Sequence, residues 1–347
     1  MKLLFYIAKQ YSVPIILPLT RFCRYRNIEY ALFISQKVND ILPDEWENDS
    51  IFFDRKSATA FLPDFVLCPG NFVDFRLPGI KVQLFHGLGI EKESHYKIRH
   101  FFDIYCTSGP FVTERFKILQ TKYKYFHIEE TGWPKIDYIL NYDSTDLKKK
   151  YAIPDDKTII LYAPTFSEKM ESASELIPHL KNTIRGNEYW ILKFHELMDK
   201  NIIAQIDEID ANNIKIIETY DVTPLLHLAD VMISDTSSVI YEFMVLNKPV
   251  VTYKTQSRID KAINITDPGE LRAAIDKALS ESCTDRNNKQ LSEINPYLDG
   301  RISENLINRL EEIHKHPENL PNHKKPLNLY RKIQIMYHER FRKGYLR

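Results

Sequence analysis

The feature that most constrains this chain is a rhythm. Short apolar runs of strand length alternate with helix-length segments, stop once, and then restart. Runs without polar alternation read as strands buried on both faces, and such strands belong to parallel sheets covered by helices. The first half offers Leu3–Ala8, Tyr30–Ser35, Phe65–Cys68, Lys81–Phe85, Ile104–Thr107 and Tyr123–Ile128. A polar stretch from Asn141 to Lys150, ending in three lysines and lacking periodicity, reads as a linker. The second half supplies Lys157–Tyr162, Trp190–Phe194, Ile214–Ile217, Val231–Ser234 and Val250–Tyr253.

The expected fold is therefore α/β, with two Rossmann-like domains facing a cleft. The first is expected over 1–145 and the second over 151–312. A basic helical tail over 313–347 packs back on the first domain or meets a membrane. A chain of 347 residues exceeds what one core usually supports, which agrees with two domains. Local signals place helices. Asp221 caps one that runs through Leu228, Asp267-Pro268-Gly269-Glu270 opens one through Leu279 as a capping box, and Ser303 opens one to about His314. Ser12–Cys23 reads as a helix against the sheet or as one touching a membrane surface.

Charge and cysteine usage exclude several classes. Lys plus Arg and Asp plus Glu are 47 each, so the strong basic excess of a dedicated nucleic-acid binder is missing. The four cysteines, at 23, 68, 106 and 283, form no C-x-x-C or zinc spacing; three sit beside apolar or aromatic stretches and read as core residues, in a reducing compartment. The apolar start is broken by Lys9, Gln10 and two prolines, short of a signal peptide core or a membrane span. Neither G-x-G-x-x-G nor G-x-x-x-x-G-K-[ST] occurs, which argues against an NAD enzyme or a P-loop kinase. From Ile313 onward nine Lys or Arg face Glu318 and Glu339, a charge balance that suits either a solvated strap or anionic lipid headgroups.

Four clusters could carry chemistry, each at the end of an expected strand. Phe85-His86-Gly87-Leu88-Gly89 places a histidine where ligands bind in parallel sheets; its near-neutral pKa suits a general base, and a structural turn histidine is the bland alternative. Ala163-Pro164-Thr165-Phe166 ends a strand in a fixed turn, with Thr165 a hydrogen-bond donor or merely part of the turn. Lys193-Phe194-His195 brings polar groups out of an apolar run and could neutralise phosphate. Asp235-Thr236-Ser237-Ser238 is the strongest. It leads from a strand into a helix, and four hydrogen-bonding side chains exceed what a single N-cap needs, so the cluster suits a diphosphate. Glu242, one turn further, either reaches ribose hydroxyls or is solvated.

These pieces resemble the CDP-glycerol glycerophosphotransferase family, the teichoic-acid primases and polymerases with a glycosyltransferase-B-type (GT-B) fold. The matching stretches are FHGLG at 85–89, TGWPKID at 131–137, LYAPTF at 161–166, the histidine of LKFH at 195, DVTPLLHLADVMISDTSSVIYEF at 221–243 followed by NKPVV, and YLDGRIS at 297–303. The resemblance implies that His86 is the catalytic histidine and His195 the second essential one. It also implies that Thr165, Ser237 and Ser238 hold the donor and that Glu242 takes the family's acidic position. Leu88, Thr236 and Glu196 depart from the family pattern, which has Thr, Tyr and Pro there.

The implied activity is transfer of a polyol phosphate, glycerol or ribitol, from a CDP-activated donor to a hydroxyl of a lipid- or polymer-linked glycan, releasing CMP. His86 would take the acceptor proton, and His195, as a cation, would steady the phosphate. Asp235 is grouped with the donor-binding residues. The CDP-polyol is a co-substrate, no resident cofactor is implied, and no carboxylate cluster implies a metal. The expected location is cytoplasmic, peripheral at the membrane's inner face. Two alternatives share these residues: a nucleotide-sugar glycosyltransferase, and a non-catalytic module of a surface-polymer complex.

Overall fold

The computed structural model describes residues 1–167, 170–209 and 212–341. It divides into two units. The first comprises Met1–Leu88, Lys92–Tyr138 and Glu293–Arg347, and the second Gly89–Glu91 and Ile139–Ser292.

The first unit is built on a seven-stranded sheet. Its strands are β1 (Lys2–Ile7), β2 (Glu29–Ile34), β3 (Ile51–Phe52), β4 (Phe65–Cys68), β5 (Ile80–Gln83), β6 (Ile104–Thr107) and β7 (His127–Glu130), in the order β3-β2-β1-β4-β5-β6-β7. Every pairing is parallel. The sheet is covered on both faces, so β1, β2, β4 and β6 are buried almost end to end, which is why they appear as uninterrupted apolar runs. The helix Val13–Arg26 buries Val13 through Thr20, so its reading as a membrane-touching element fails. β7 begins later than the expected Tyr123, because Pro110–Tyr123 is helical and Lys124, at φ 60°, ends that helix.

The second unit repeats the plan with six strands, β8 (Thr158–Tyr162), β9 (Glu188–Leu192), β10 (Ile214–Ile216), β11 (Val231–Ser234), β12 (Val250–Tyr253) and β13 (Ile263–Ile265). Their order is β10-β9-β8-β11-β12-β13, again all parallel. Its core joins Tyr162, Trp190, Leu192 and Ile233 of the sheet to Leu176, Ile177, Leu271 and Ile275 of the flanking helices. The capping box at Asp267–Glu270 forms as the sequence predicts, and the Asp221 carboxylate accepts the Thr223 amide at 3.0 Å. Half-buried Lys248 donates to the carbonyls of Leu226, His227 and Ala229, which are the orphan acceptors at the end of helix Thr223–Leu228.

Both sheets have the Rossmann-like strand order that the sequence reading expects of two α/β domains. The boundaries differ from the sequence reading. The first unit closes at Tyr138, and Leu147–Tyr151 of the expected linker is helical. The chain rejoins the first unit at Glu293 instead of leaving the second at 312, because helix Ile302–Lys315 is capped by that unit. The Asp137 carboxylate accepts the amides of Ile302 (3.0 Å) and Ser303 (2.7 Å). The tail is held there too. Lys325 pairs with Asp103 at 2.8 Å, Asn328 donates to the Arg99 carbonyl at 2.7 Å, and Ile335 is buried.

Candidate functional site

In parallel sheets ligands gather beyond the carboxyl ends of the strands where the strand order reverses. In the second unit that point lies between β8 and β11, and β9 follows on the other side of β8. Three of the four clusters singled out from sequence therefore leave adjacent strands at one edge: Ala163–Phe166 after β8, Lys193–His195 after β9, and Asp235–Ser238 after β11.

Asp235 organises this edge. It is buried. Its carboxylate accepts the Thr165 amide on both oxygens (3.0 and 3.1 Å), the Ser172 amide (3.1 Å) and hydroxyl (3.0 Å), and the Thr236 amide (2.6 Å). Its own carbonyl accepts the Thr255 hydroxyl at 2.8 Å. Burial raises its pKa, and the hydrogen bonds oppose that rise. Asp235 thus shapes the loops after β8 and β11. Ser172 was not singled out from sequence. It reaches Asp235 across 63 residues, which no local pattern displays.

Ser237 and Ser238 are half-buried. Ser238 occupies the N-cap of helix Val239–Met244 without a side-chain cap bond. The bland reading, that the cluster exists to cap, therefore fails for its last residue. The helix has only six residues, so the hydroxyls and first-turn amides, not a long dipole, are what an anion would meet. Glu242 is buried, which excludes its solvated alternative. Thr165 is buried at 6 % exposure, its amide committed to Asp235.

His195 stacks on Phe166 with ring centroids 4.1 Å apart and planes 27° from parallel. The Leu197 amide donates to its Nδ1 at 3.1 Å. An accepting Nδ1 carries no proton, so the neutral ring has its N–H at Nε2. With Nδ1 accepting, His195 has Nε2–H to offer as a donor.

His86 belongs to the first unit, where β5 ends at Gln83. Phe85 has left the strand with φ 59°, a conformation costly for a bulky residue. Three contacts hold it there: its ring stacks on His95 at 4.6 Å, meets Phe116 edge-on at 5.4 Å, and its carbonyl accepts the Trp133 indole N–H at 3.2 Å. The next residue, His86, is turned to solvent beside Tyr11, centroids 5.5 Å apart. Although the ring has solvent access, the surrounding protein desolvates it and lowers its pKa below 6.5, with Arg99 and Lys92 adding to the effect. Arg99 is oriented by Asn71 Oδ1 at 3.2 Å, which also accepts from Gln83. A neutral, accessible imidazole is what a base toward a hydroxyl requires. His95, which sequence reasoning missed, is driven down to about 3 by burial first, then by His86 and Arg99.

Comparison with known proteins finds similar sequences and similar folds. Residues 89–259 match the family model described as CDP-glycerol:poly(glycerophosphate) glycerophosphotransferase. That stretch contains Thr165, His195, Asp235, Ser237, Ser238 and Glu242, while His86 lies just before it. The teichoic acid glycerol-phosphate primase of Bacillus spizizenii is 32% identical over 178 residues, 48% of this chain and 45% of that protein. The teichoic acid glycerol-phosphate transferase of Staphylococcus aureus is 28% identical over 185 residues, 48% and 43%. The chain spans less than half the length of these relatives. Among solved structures, the wall teichoic acid polymerase TagF aligns with a TM-score of 0.66 at 16% identity, covering 91% of this chain and 90% of that one. The UDP-GlcNAc 2-epimerase of Neisseria meningitidis aligns at 0.64 and 15%, covering 90% and 100%. At these identities the structural matches establish the fold.

Proposed function

From the homology of residues 89–259 to the CDP-glycerol glycerophosphotransferase family, we propose that this chain transfers glycerol phosphate or ribitol phosphate from a CDP-activated donor. The acceptor is a hydroxyl of a lipid- or polymer-linked glycan, in teichoic-acid or capsule-type polymer synthesis. The observation that carries the reading is the second unit's switch point, where the Asp235-organised loops gather Thr165, Ser237, Ser238 and the Nε2–H of His195.

The reaction is displacement at the phosphorus that bears the polyol. The acceptor oxygen forms a new P–O bond, the bond to the bridging oxygen breaks, and CMP leaves. Ser237, Ser238 and first-turn amides hold the diphosphate. His195 donates to a phosphoryl oxygen through Nε2, and His86 takes the acceptor proton. Phosphoryl transfer draws most of its acceleration from such positioning and fixed donors.

Peripheral contact with an anionic membrane face is part of the proposal. Among the described residues no helix is long and apolar enough to cross a membrane. Helix Leu329–Phe341 nevertheless exposes Leu329, Tyr330, Ile333, Met336 and Tyr337, an arc of about 120° at helical spacing. Lys332 borders that arc and packs over Phe75 at 5.0 Å, while Arg331, on the opposite side of the helix, packs over Phe72 at 5.4 Å.

Titration calorimetry with CMP, CDP, CDP-glycerol, CDP-ribitol, UDP and UDP-sugars tests the donor, and product analysis tests the reaction. Selective binding of a CDP-polyol with release of CMP supports the proposal. Selective binding of a UDP-sugar with release of UDP would replace it with glycosyl transfer. Ser237→Ala with Ser238→Ala is expected to weaken donor binding at least about tenfold.

A further inference from the structure

The buried carboxylates of this protein generally use both oxygens. Asp235 does so at the switch point, and Asp137 does so against the amides of Ile302 and Ser303. Glu91 does not. Its Oε1 takes two donors, the Lys261 ammonium at 2.6 Å and the Tyr241 hydroxyl. Its Oε2 is buried and has no hydrogen-bond partner, in a side chain only 9 % exposed. A carboxylate oxygen shut away from water without a donor is destabilising, and native proteins keep such groups where something else completes them.

The surroundings identify what that is. Glu91 ends the short segment Gly89–Glu91, which belongs to the second unit although the chain on either side belongs to the first. Tyr241 is on the helix that follows Ser237 and Ser238, three positions past the N-cap. Lys261, 1 % exposed and 5.7 Å over the Tyr241 ring, is within electrostatic reach of Asp235. Lys261 already neutralises the carboxylate, so Oε2 calls for a neutral donor and not a second cation. We infer that Glu91 is a substrate-binding residue whose Oε2 accepts a hydroxyl of the activated donor, with Lys261 and Tyr241 fixing the carboxylate in place.

This inference rests on the donor reading above. Hydroxyls of that chemistry occur on the ribose and on the polyol, so the test separates them. Wild type and Glu91→Gln, which keeps the Oε1 acceptor but replaces Oε2 with a donor, are titrated with CDP, 2′-deoxy-CDP, 3′-deoxy-CDP and CDP-glycerol. The variant is expected to lose at least about tenfold in affinity. Equal loss on CDP and CDP-glycerol, with the wild-type preference for CDP over one deoxy analogue abolished, assigns the ribose. Loss on CDP-glycerol alone assigns the polyol. Unchanged affinities in a folded variant overturn the inference and leave the donor reading standing. Wild type that binds none of these ligands overturns both. Should Glu91→Gln not fold, Glu91→Asp, which keeps the charge beside Lys261 but withdraws the oxygen, serves the same comparison.

Discussion

The backbone amide of Thr165 donates to both carboxylate oxygens of Asp235, at 3.0 and 3.1 Å, joining the loops after β8 and β11 where the strand order of the second sheet reverses. Asp235→Asn removes one acceptor oxygen while Ser172 still presents its amide and hydroxyl. Leaving such groups unpaired costs about 1–3 kcal/mol. The expected outcome is a lower Tm together with weaker nucleotide binding. A variant of normal stability and normal affinity would show that the loops do not depend on this carboxylate.

His86 must be neutral to accept a proton, and its pKa is held below 6.5 by desolvation first and by Arg99 and Lys92 next. The acid limb of kcat/KM against pH should therefore have its midpoint below 6.5. Arg99→Gln removes one of the opposing cations, so the limb should move upward while desolvation still keeps it below 6.5. A limb that stays put in this variant would mean that another group titrates there. His86→Ala should abolish transfer and spare nucleotide affinity.

His95 stays neutral in the folded chain down to about 3, whereas in the unfolded chain it titrates near 6.5. Between those values the unfolded state binds more protons, so stability falls as the pH falls. The steepest slope this one group can give is about 1.4 kcal/mol per pH unit. His95→Phe keeps a flat ring against Phe85 without the titration. Its Tm should decline less than that of wild type between pH 6.5 and pH 5. Parallel declines would assign the acid sensitivity elsewhere.

Gly132 has φ 86°, and a Cβ placed there would lie 2.8 Å from Ile302 Cγ1 and 3.1 Å from the Tyr297 ring. Gly132→Ala combines left-handed strain of roughly 1–2 kcal/mol with a collision in the first unit. Thermal unfolding should shift down by several degrees. Unchanged unfolding would mean that the loop and helix Ile302–Lys315 can part at no cost.

Much of the fold could be read along the chain. Eleven expected strands have counterparts, most of them because a strand buried on both faces is apolar throughout, although β7 and β10 are only partly buried. β3 and β13 escaped notice at two and three residues. The expected run Lys81–Phe85 ended two residues early because Phe85 turns left-handed under the pull of its packing, a tertiary effect. The chemical clusters were legible because polar groups concentrated at strand ends have no reason to be there in a buried sheet.

The sequence by itself determined the α/β rhythm, the two domains and the strand ends where polar groups collect, since each depends on solvation patterns spanning a few neighbouring residues. Only the tertiary structure decided which of those residues meet. Asp235 meets Ser172 across 63 positions, Asp137 meets Ser303 across 166, and Glu91 meets Lys261 across 170. Such pairings follow from the order in which strands are laid into the sheets, a property of the whole chain. That is why Asp235 turned out to shape the site, why the last helices joined the first unit, and why a buried oxygen on Glu91 was left waiting for a partner.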